Sequence, residues 1–253
     1  VLPQGQLLPP VADVNFDRSL ALVVAAQGLL ALPRDTAGAS PLAAPTAQAM
    51  AETLTDLASA LGAALRRQQA HRIRGLYVII DPQVTGGRDP LEIAAAAIRG
   101  GARMLQLRDK LRDKGEILPL AMALQGLCQA NDVLLIINDH VDLAAVVGAS
   151  GVHVGQTDLP VERARQVLAP YQVLGRSNRE IHQVVQSQAM GADHVAFGAI
   201  YTTTSKSVTR SPQGVEPLRR ARAVAKVPLV AIGGINAENV APVVEAGADA
   251  ICV

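Results

Sequence analysis

The hydrophobic rhythm of the chain changes near residue 72. Upstream, apolar residues recur at helical spacing between linkers rich in Pro, Ala and Ser. Asp17 to Leu32 is apolar and predicts a helix that stops at Pro33, because proline cannot continue the hydrogen-bond ladder. Thr36 to Thr46 reads as linker. A second helix follows, with Met50, Leu54, Leu57, Leu61 and Leu65 spaced by four, three, four and four, which places them on one face suited to burial. Residues 1–72 carry no recognisable chemistry and are read as a helical extension or linker of unknown role.

From Arg74 onward, short β-branched runs alternate with Ala-rich stretches. Strands are predicted at Gly75–Ile80, Met104–Arg108, Leu134–Ile137, Gly151–Val154, Gln172–Ser177, His194–Gly198, Pro228–Gly234 and Ala250–Val253. Helices are predicted near 90–100, 115–131, 141–148, 160–169, 179–190, 214–226 and 237–246. Strands separated by helices pair in parallel through right-handed crossovers, and eight of them in this order fit a (β/α)8 TIM barrel over residues 73–253. A doubly wound open sheet is the alternative, but no G-x-G-x-x-G opens the first βα turn, which counts against its dinucleotide-binding form. Similar text recurs before three strands: Gly100-Gly101-Ala102, Gly191-Ala192-Asp193 and Gly247-Ala248-Asp249. Glycine just past a helix accepts a left-handed backbone, so the repetition supports repeated αβ units.

Composition narrows the classes. With 49% hydrophobic and 18% charged residues, the 253-residue chain can build a sizeable core, which excludes global disorder. The net charge of +1 and 2% aromatic content give no basic surplus and no stacking platform for nucleic acid. The longest apolar run, Leu20 to Leu32, is too short to span a bilayer and follows Asp13 and Asp17 rather than a basic start, so neither a membrane span nor a signal peptide is expected. Cys128 and Cys252 form no CxxC and read as buried thiols in a reducing compartment, which leads to a cytoplasmic expectation.

Polar residues gather where the predicted strands end, the reactive face of a barrel. Strand two closes on Gln106-Leu107-Arg108-Asp109-Lys110, and alternation would turn Gln106, Arg108 and Lys110 the same way. An Arg fork and a Lys point charge suit phosphate oxygens; a solvated strand edge is the other reading. Strand three stops at Asn138-Asp139-His140, where Asp139 reads equally as a metal ligand or a helix N-cap. Strand four leads to Asp158, again a cap or one of two acids holding Mg²⁺ together with substrate phosphates. His153 lies between Val152 and Val154 and reads as structural. Strand five ends at Ser177, strand six runs into Thr202-Thr203-Thr204-Ser205-Lys206, and Gly233-Gly234 precede a helix whose N–H groups suit an anion.

In order and spacing these segments resemble the thiamine phosphate synthase family. The segments are Gln106 to Lys110, Asn138-Asp139, Gly151 to Pro160, Gly198 to Lys206 and Ala231 to Ile235, and the resemblance covers about Arg74 to Val253. It implies a Mg²⁺-dependent transferase of thiamine biosynthesis. That enzyme couples 4-amino-2-methyl-5-hydroxymethylpyrimidine diphosphate to a thiazole phosphate, giving thiamine monophosphate and diphosphate by dissociative displacement. On the same resemblance Gln106, Leu107, Arg108, Asp109, Lys110, Asn138, Ser177 and Lys206 contact the pyrimidine diphosphate, with Arg108, Lys110 and Lys206 catalytic. Asp139 and Asp158 hold Mg²⁺, and Thr203, Thr204, Ser205 and Gly234 bind the thiazole phosphate. Both partners are small molecules, and self-association is left open.

The sequence departs from the family pattern at Thr202, where proline is common, and at Asn178-Arg179-Glu180. It also stops at Val253 inside the eighth strand, which predicts an incomplete barrel and weak thiazole binding if the native chain ends there; a truncated record is the favoured expectation. Two rivals remain. One is a thiazole tautomerase-like paralogue, which would lack the full set Arg108, Lys110, Asp139, Asp158 and Lys206. The other is a non-catalytic phosphate-ligand-binding barrel.

Overall fold

The computed structural model describes residues 15–30, 44–203 and 211–253. Two compact units result, Val1–Leu65 and Arg66–Val253.

The first unit contains α1 (Phe16–Leu30) and most of α2 (Ala44–His71). Leu20 and Val23 of α1 bury against Ala58, Leu61 and Leu65 of α2, with Phe16 and Leu54 packed at the edge. The seam differs from the expected stripe: Met50 and Leu57 are exposed, and Ala58 is buried instead. Each step of four residues turns a helix by about 40°, so the buried face drifts away from Met50 and Leu57 toward Ala58 and Leu65.

The second unit is a closed parallel barrel of eight strands in sequential order. Its strands are β1 (Gly75–Ile80), β2 (Met104–Leu107), β3 (Leu134–Asn138), β4 (Gly151–Val154), β5 (Val173–Asn178), β6 (His194–Gly198), β7 (Leu229–Ile232) and β8 (Ala250–Cys252). The intervening helices are α3 (Pro90–Arg99), α4 (Lys114–Ala130), α5 (Val141–Val147), α6 (Val161–Arg165), α7 (Ile181–Ala189), α8 (Val215–Val224) and α9 (Ala241–Glu245). The incomplete ring expected from a shortened eighth strand does not occur. Three residues suffice, because β8 pairs with β7 through Val230–Ala250 and with β1 through Tyr77–Cys252.

Alternation along the strands sorts side chains into two layers. Tyr77, Met104, Leu134, Ile136, Val173 and Val230 fill the barrel. Their neighbours Leu105, Leu135, Val152 and Leu174 pack outward with the helices, among them Ala94, Ala121 and Leu124. The repeated glycine joint is borne out: Gly101, Gly191 and Gly247 adopt φ of 91°, 93° and 92°. Strand seven ends sooner than expected, at Ile232, because Gly233 and Gly234 turn into positive φ.

Both cysteines are buried. Burial pushes the Cys128 thiol up to about 12, so its thiolate is essentially unpopulated near neutral pH. Cys128 is therefore expected to resist a thiol reagent at pH 8 in native protein and to react once the chain is unfolded, which mass spectrometry of labelled peptides would read. Rapid native labelling would contradict this packing.

Candidate active site

The C-terminal ends of β1 to β4 carry two groups of paired charges. On β2, Gln106 points into the barrel, where its Nε2 donates to Tyr77 Oη at 2.5 Å. Burial pushes the Tyr77 phenol well above its ordinary value, so it stays neutral. The strand ends at Leu107, so alternation no longer governs the residues beyond it. Arg108 turns toward β1 and ion-pairs through Nη1 with Asp81. Lys110 reaches the other way, its Nζ 2.8 Å from Asp139 Oδ2, and half of its side chain remains exposed.

Two members of this segment occupy other surroundings than the expected substrate contact. Leu107 is buried in the layer between strands and helices. The Asp109 carboxylate is fully buried and accepts from Arg112 Nε at 2.6 Å and from the backbone N–H groups of Leu111 and Arg112 at 3.2 Å. Burial alone would raise its carboxyl, but these hydrogen bonds outweigh burial and hold it below the usual range. Asp109 thus fastens the loop that presents Lys110.

Asp81 was absent from the sequence expectations. It is 6% exposed. It accepts from Gln83 N at 3.0 Å, which caps a short 3-10 turn, while its other oxygen meets Arg108. The signal was present in Ile80-Asp81-Pro82, a strand ending in an acid as β3 does.

Asp139 follows β3 with φ of 61°, a left-handed backbone that Asp tolerates better than most residues. Its N–H donates to His153 O at 2.8 Å, which ties it to β4. Asp158 folds back so that Oδ2 accepts from Gly155 N at 2.7 Å. A Cβ at Gly155 would lie 2.8 Å from that oxygen, so a side chain there would push the carboxylate aside. The Asp158 carboxyl is raised mainly by burial and further by hydrogen bonding and repulsion from Asp139, while Gly155 N–H and the Lys110 ammonium oppose the shift. Two carboxylates thus face each other beside one ammonium. The N-cap alternatives are not realised: α5 is capped by His140 and α6 by Pro160, neither through a side chain.

Ser177 stands on β5, the strand paired with β4. Its Oγ lies 2.9 Å from His153 Nε2, and His153 Nδ1 lies 3.3 Å from His194 Nε2. His153 is therefore part of a polar chain rather than passive filling. Asn138 ends β3 half-buried, in register with His153.

On the far side, Tyr201 N donates to Gly233 O at 2.9 Å, and Tyr201 Oη donates to Asn239 O at 3.0 Å. A Cβ on Gly234 would lie 2.3 Å from Thr202 O, so glycine is what lets the two loops touch. Thr203 ends the described part of its loop; Thr204, Ser205 and Lys206 lie outside the described residues.

The two carboxylates Asp139 and Asp158 fit a divalent cation. They are hard oxygen donors, close enough to repel one another, and a cation between them would remove that repulsion. Among the described residues no group of three or more His, Cys, Asp or Glu could hold a metal, so water or substrate oxygens would complete the shell. Among the described residues, too, no helix is long and apolar enough to cross a membrane.

Comparison with known proteins gives a consistent picture. The family model described as thiamine monophosphate synthase matches residues 76–253. The thiamine-phosphate synthase of Moorella thermoacetica is 42% identical over 178 residues, which cover 70% of this chain and 85% of that protein. That of Thioalkalivibrio sulfidiphilus is 42% identical over 188 residues, covering 74% and 88%. The solved thiamine phosphate pyrophosphorylase of Pyrococcus furiosus superposes with a TM-score of 0.66 at 32% identity, covering 73% of this chain and 87% of that one.

Proposed function

The chain belongs to the thiamine-phosphate synthase family, and on that premise we propose that its rim binds a pyrimidine diphosphate and transfers the pyrimidinylmethyl group to a thiazole phosphate, releasing diphosphate. The observation that carries the reading is the juxtaposition of Arg108, Lys110, Asp139 and Asp158 at one end of the barrel, from three different strand ends.

The chemistry follows from charge. Breaking the bond between the pyrimidine methylene carbon and its oxygen leaves the electron pair on diphosphate and a cation delocalised into the aminopyrimidine ring. The thiazole nitrogen then donates its lone pair to that carbon, giving thiamine monophosphate. No protein nucleophile is needed. What the protein must supply is positive charge at the leaving oxygens, placed beforehand in a site that excludes water. Arg108 offers a planar fork already oriented by Asp81, and Lys110 offers a half-exposed ammonium that can leave Asp139 for a phosphate oxygen. Mg²⁺ held by Asp139 and Asp158 would add a Lewis acid that neutralises the departing diphosphate. Ser177 and Asn138 face the same end of the barrel and serve the pyrimidine diphosphate, with Lys206 as a further cation from the β6 loop. Thr203, Thr204, Ser205 and the Gly234 backbone serve the thiazole phosphate.

The test is a coupling assay with both substrates, with Mg²⁺ and with a chelator, following both products by chromatography. Equal amounts of thiamine monophosphate and diphosphate, formed only with Mg²⁺, are expected. Metal-independent isomerisation of a thiazole carboxylate phosphate without coupling would point to the tautomerase activity instead.

Gly234→Ala is expected to raise the KM for the thiazole phosphate by about 10²-fold, because the added Cβ pushes against the Thr202 carbonyl and parts the two loops. The KM for the pyrimidine diphosphate should change little. Steady-state kinetics with each substrate varied in turn would show the contrast, and equal effects on both would contradict the division of the rim.

A further inference from the structure

Inside the barrel a line of three polar side chains crosses β6, β4 and β5 and ends at the rim. His194 is 0% exposed, and its Nε2 lies 3.3 Å from His153 Nδ1. His153 Nε2 in turn lies 2.9 Å from Ser177 Oγ. Gly175 makes room for the line: a Cβ there would fall 2.0 Å from His194 Nε2 and 2.5 Å from His153 Nδ1. Packing the two imidazoles around a bare backbone gives up apolar filling at the barrel centre, and that sacrifice calls for a physical reason.

The line can be polarised in two directions. In one, Ser177 donates to His153 and His153 donates to His194, which leaves His194 with an N–H at Nδ1. In the other, His194 Nε2–H donates to His153 Nδ1, His153 Nε2–H donates to Ser177 Oγ, and His194 Nδ1 bears only a lone pair. His194 Nδ1 is buried and has no hydrogen-bond partner. An orphaned buried N–H is the rarer defect in folded proteins. Neutral imidazole also prefers the Nε2–H tautomer intrinsically, and the second direction gives both rings that tautomer. Burial and the neighbouring His153 lower the His194 pKa well below its ordinary value, so His194 itself is neutral at neutral pH.

We infer that the His194–His153 pair fixes the Ser177 hydroxyl as a hydrogen-bond donor aimed at an anionic or lone-pair-bearing atom of the substrate. With its oxygen already accepting from His153, the hydroxyl has its proton left to offer. That matches a rim where the other groups, Arg108 and Lys110, are also donors. His153 and His194 are positioning residues. This deepens the proposed diphosphate chemistry and rests on it for the substrate.

The tautomers are read directly by ¹⁵N NMR of histidine-labelled protein without substrate. His194 Nδ1 should resonate as an unprotonated imidazole nitrogen and His194 Nε2 and His153 Nε2 as protonated ones. A proton on His194 Nδ1 would overturn the proposed direction, whatever reaction the protein performs. In the coupling assay, His153→Met should lower kcat about tenfold, the worth of one aligned hydrogen bond, with little change in KM. His153→Gln, whose amide N–H can replace Nε2–H, should recover most of the loss. In a Ser177→Ala background, His153→Met should have no further effect on kcat. Equal losses for Met and Gln, or a full additional loss in that background, would show that the histidines act only as packing. Absence of coupling by the wild type would sink the functional reading while leaving the tautomer result standing.

Discussion

Replacing Arg108 with Met is expected to lower kcat/KM for the pyrimidine diphosphate by about 10²- to 10³-fold, the usual loss when a preplaced group that stabilises transition-state charge is removed. The same change should destabilise the fold, because Asp81 is 6% exposed and would lose its ion-pair partner. Breaking a buried pair from one side costs about 3–5 kcal/mol, more than the pair itself contributes. The two effects are separable. Arg108→Met with Asp81→Asn should regain most of the lost stability, since the amide oxygen of the new side chain can still accept from Gln83 N, yet remain as inactive as the single variant. Arg108→Lys keeps the charge but loses the fork, so it should fall between wild type and Arg108→Met. Denaturation midpoints set beside steady-state kinetics for the three variants would decide. Recovery of activity along with stability would mean that Arg108 acts only by anchoring β2 to β1.

Asp158→Asn should do the opposite to stability while also removing activity. The folded-state pKa of Asp158 is raised, chiefly by burial and then by Asp139. A group with a raised folded pKa contributes its stability at low pH and loses that contribution as pH rises through the folded value. At neutral pH the ionised Asp158 is therefore a net cost in the metal-free protein, and an uncharged Asn removes that cost. The variant should melt higher than wild type without metal. It should gain nothing from added Mg²⁺, whereas wild type should be stabilised as Mg²⁺ is titrated in. Coupling should drop on the order of 10²-fold or more, because the ionised carboxylate is what a hard cation requires. For wild type, apparent Mg²⁺ affinity should weaken as pH falls toward the raised Asp158 value. Thermal melts across a Mg²⁺ series at two pH values would test both points. A lower metal-free melting point in Asp158→Asn, with the Mg²⁺ response intact, would contradict the assignment of this pair.

The barrel was legible because its information is local. Short apolar, β-branched runs, Ala-rich spacers and three glycine joints each report on their own few residues, and β1, β4 and β6 begin and end where the pattern places them. The site was legible only in part. Alternation was carried past Leu107, where the strand stops, so Gln106 turns into the barrel while Arg108 and Lys110 diverge to Asp81 and Asp139. Asp109 sits between two cations in sequence, yet its carboxylate bonds to Arg112 and the following N–H groups rather than to either cation. His153 and His194 lie 41 residues apart, and their meeting depends on the room left by Gly175, which no residue pattern announces. Local periodicity predicts elements; contacts between strand ends arise from closure of the ring.

The most direct test of the shared rim is a solved structure of this protein with Mg²⁺ and inorganic diphosphate bound. The expected result is diphosphate against Arg108 and Lys110, with the metal on Asp139 and Asp158 and touching phosphate oxygens. Diphosphate bound elsewhere, with Arg108 still closed on Asp81 and no metal between the two carboxylates, would contradict it.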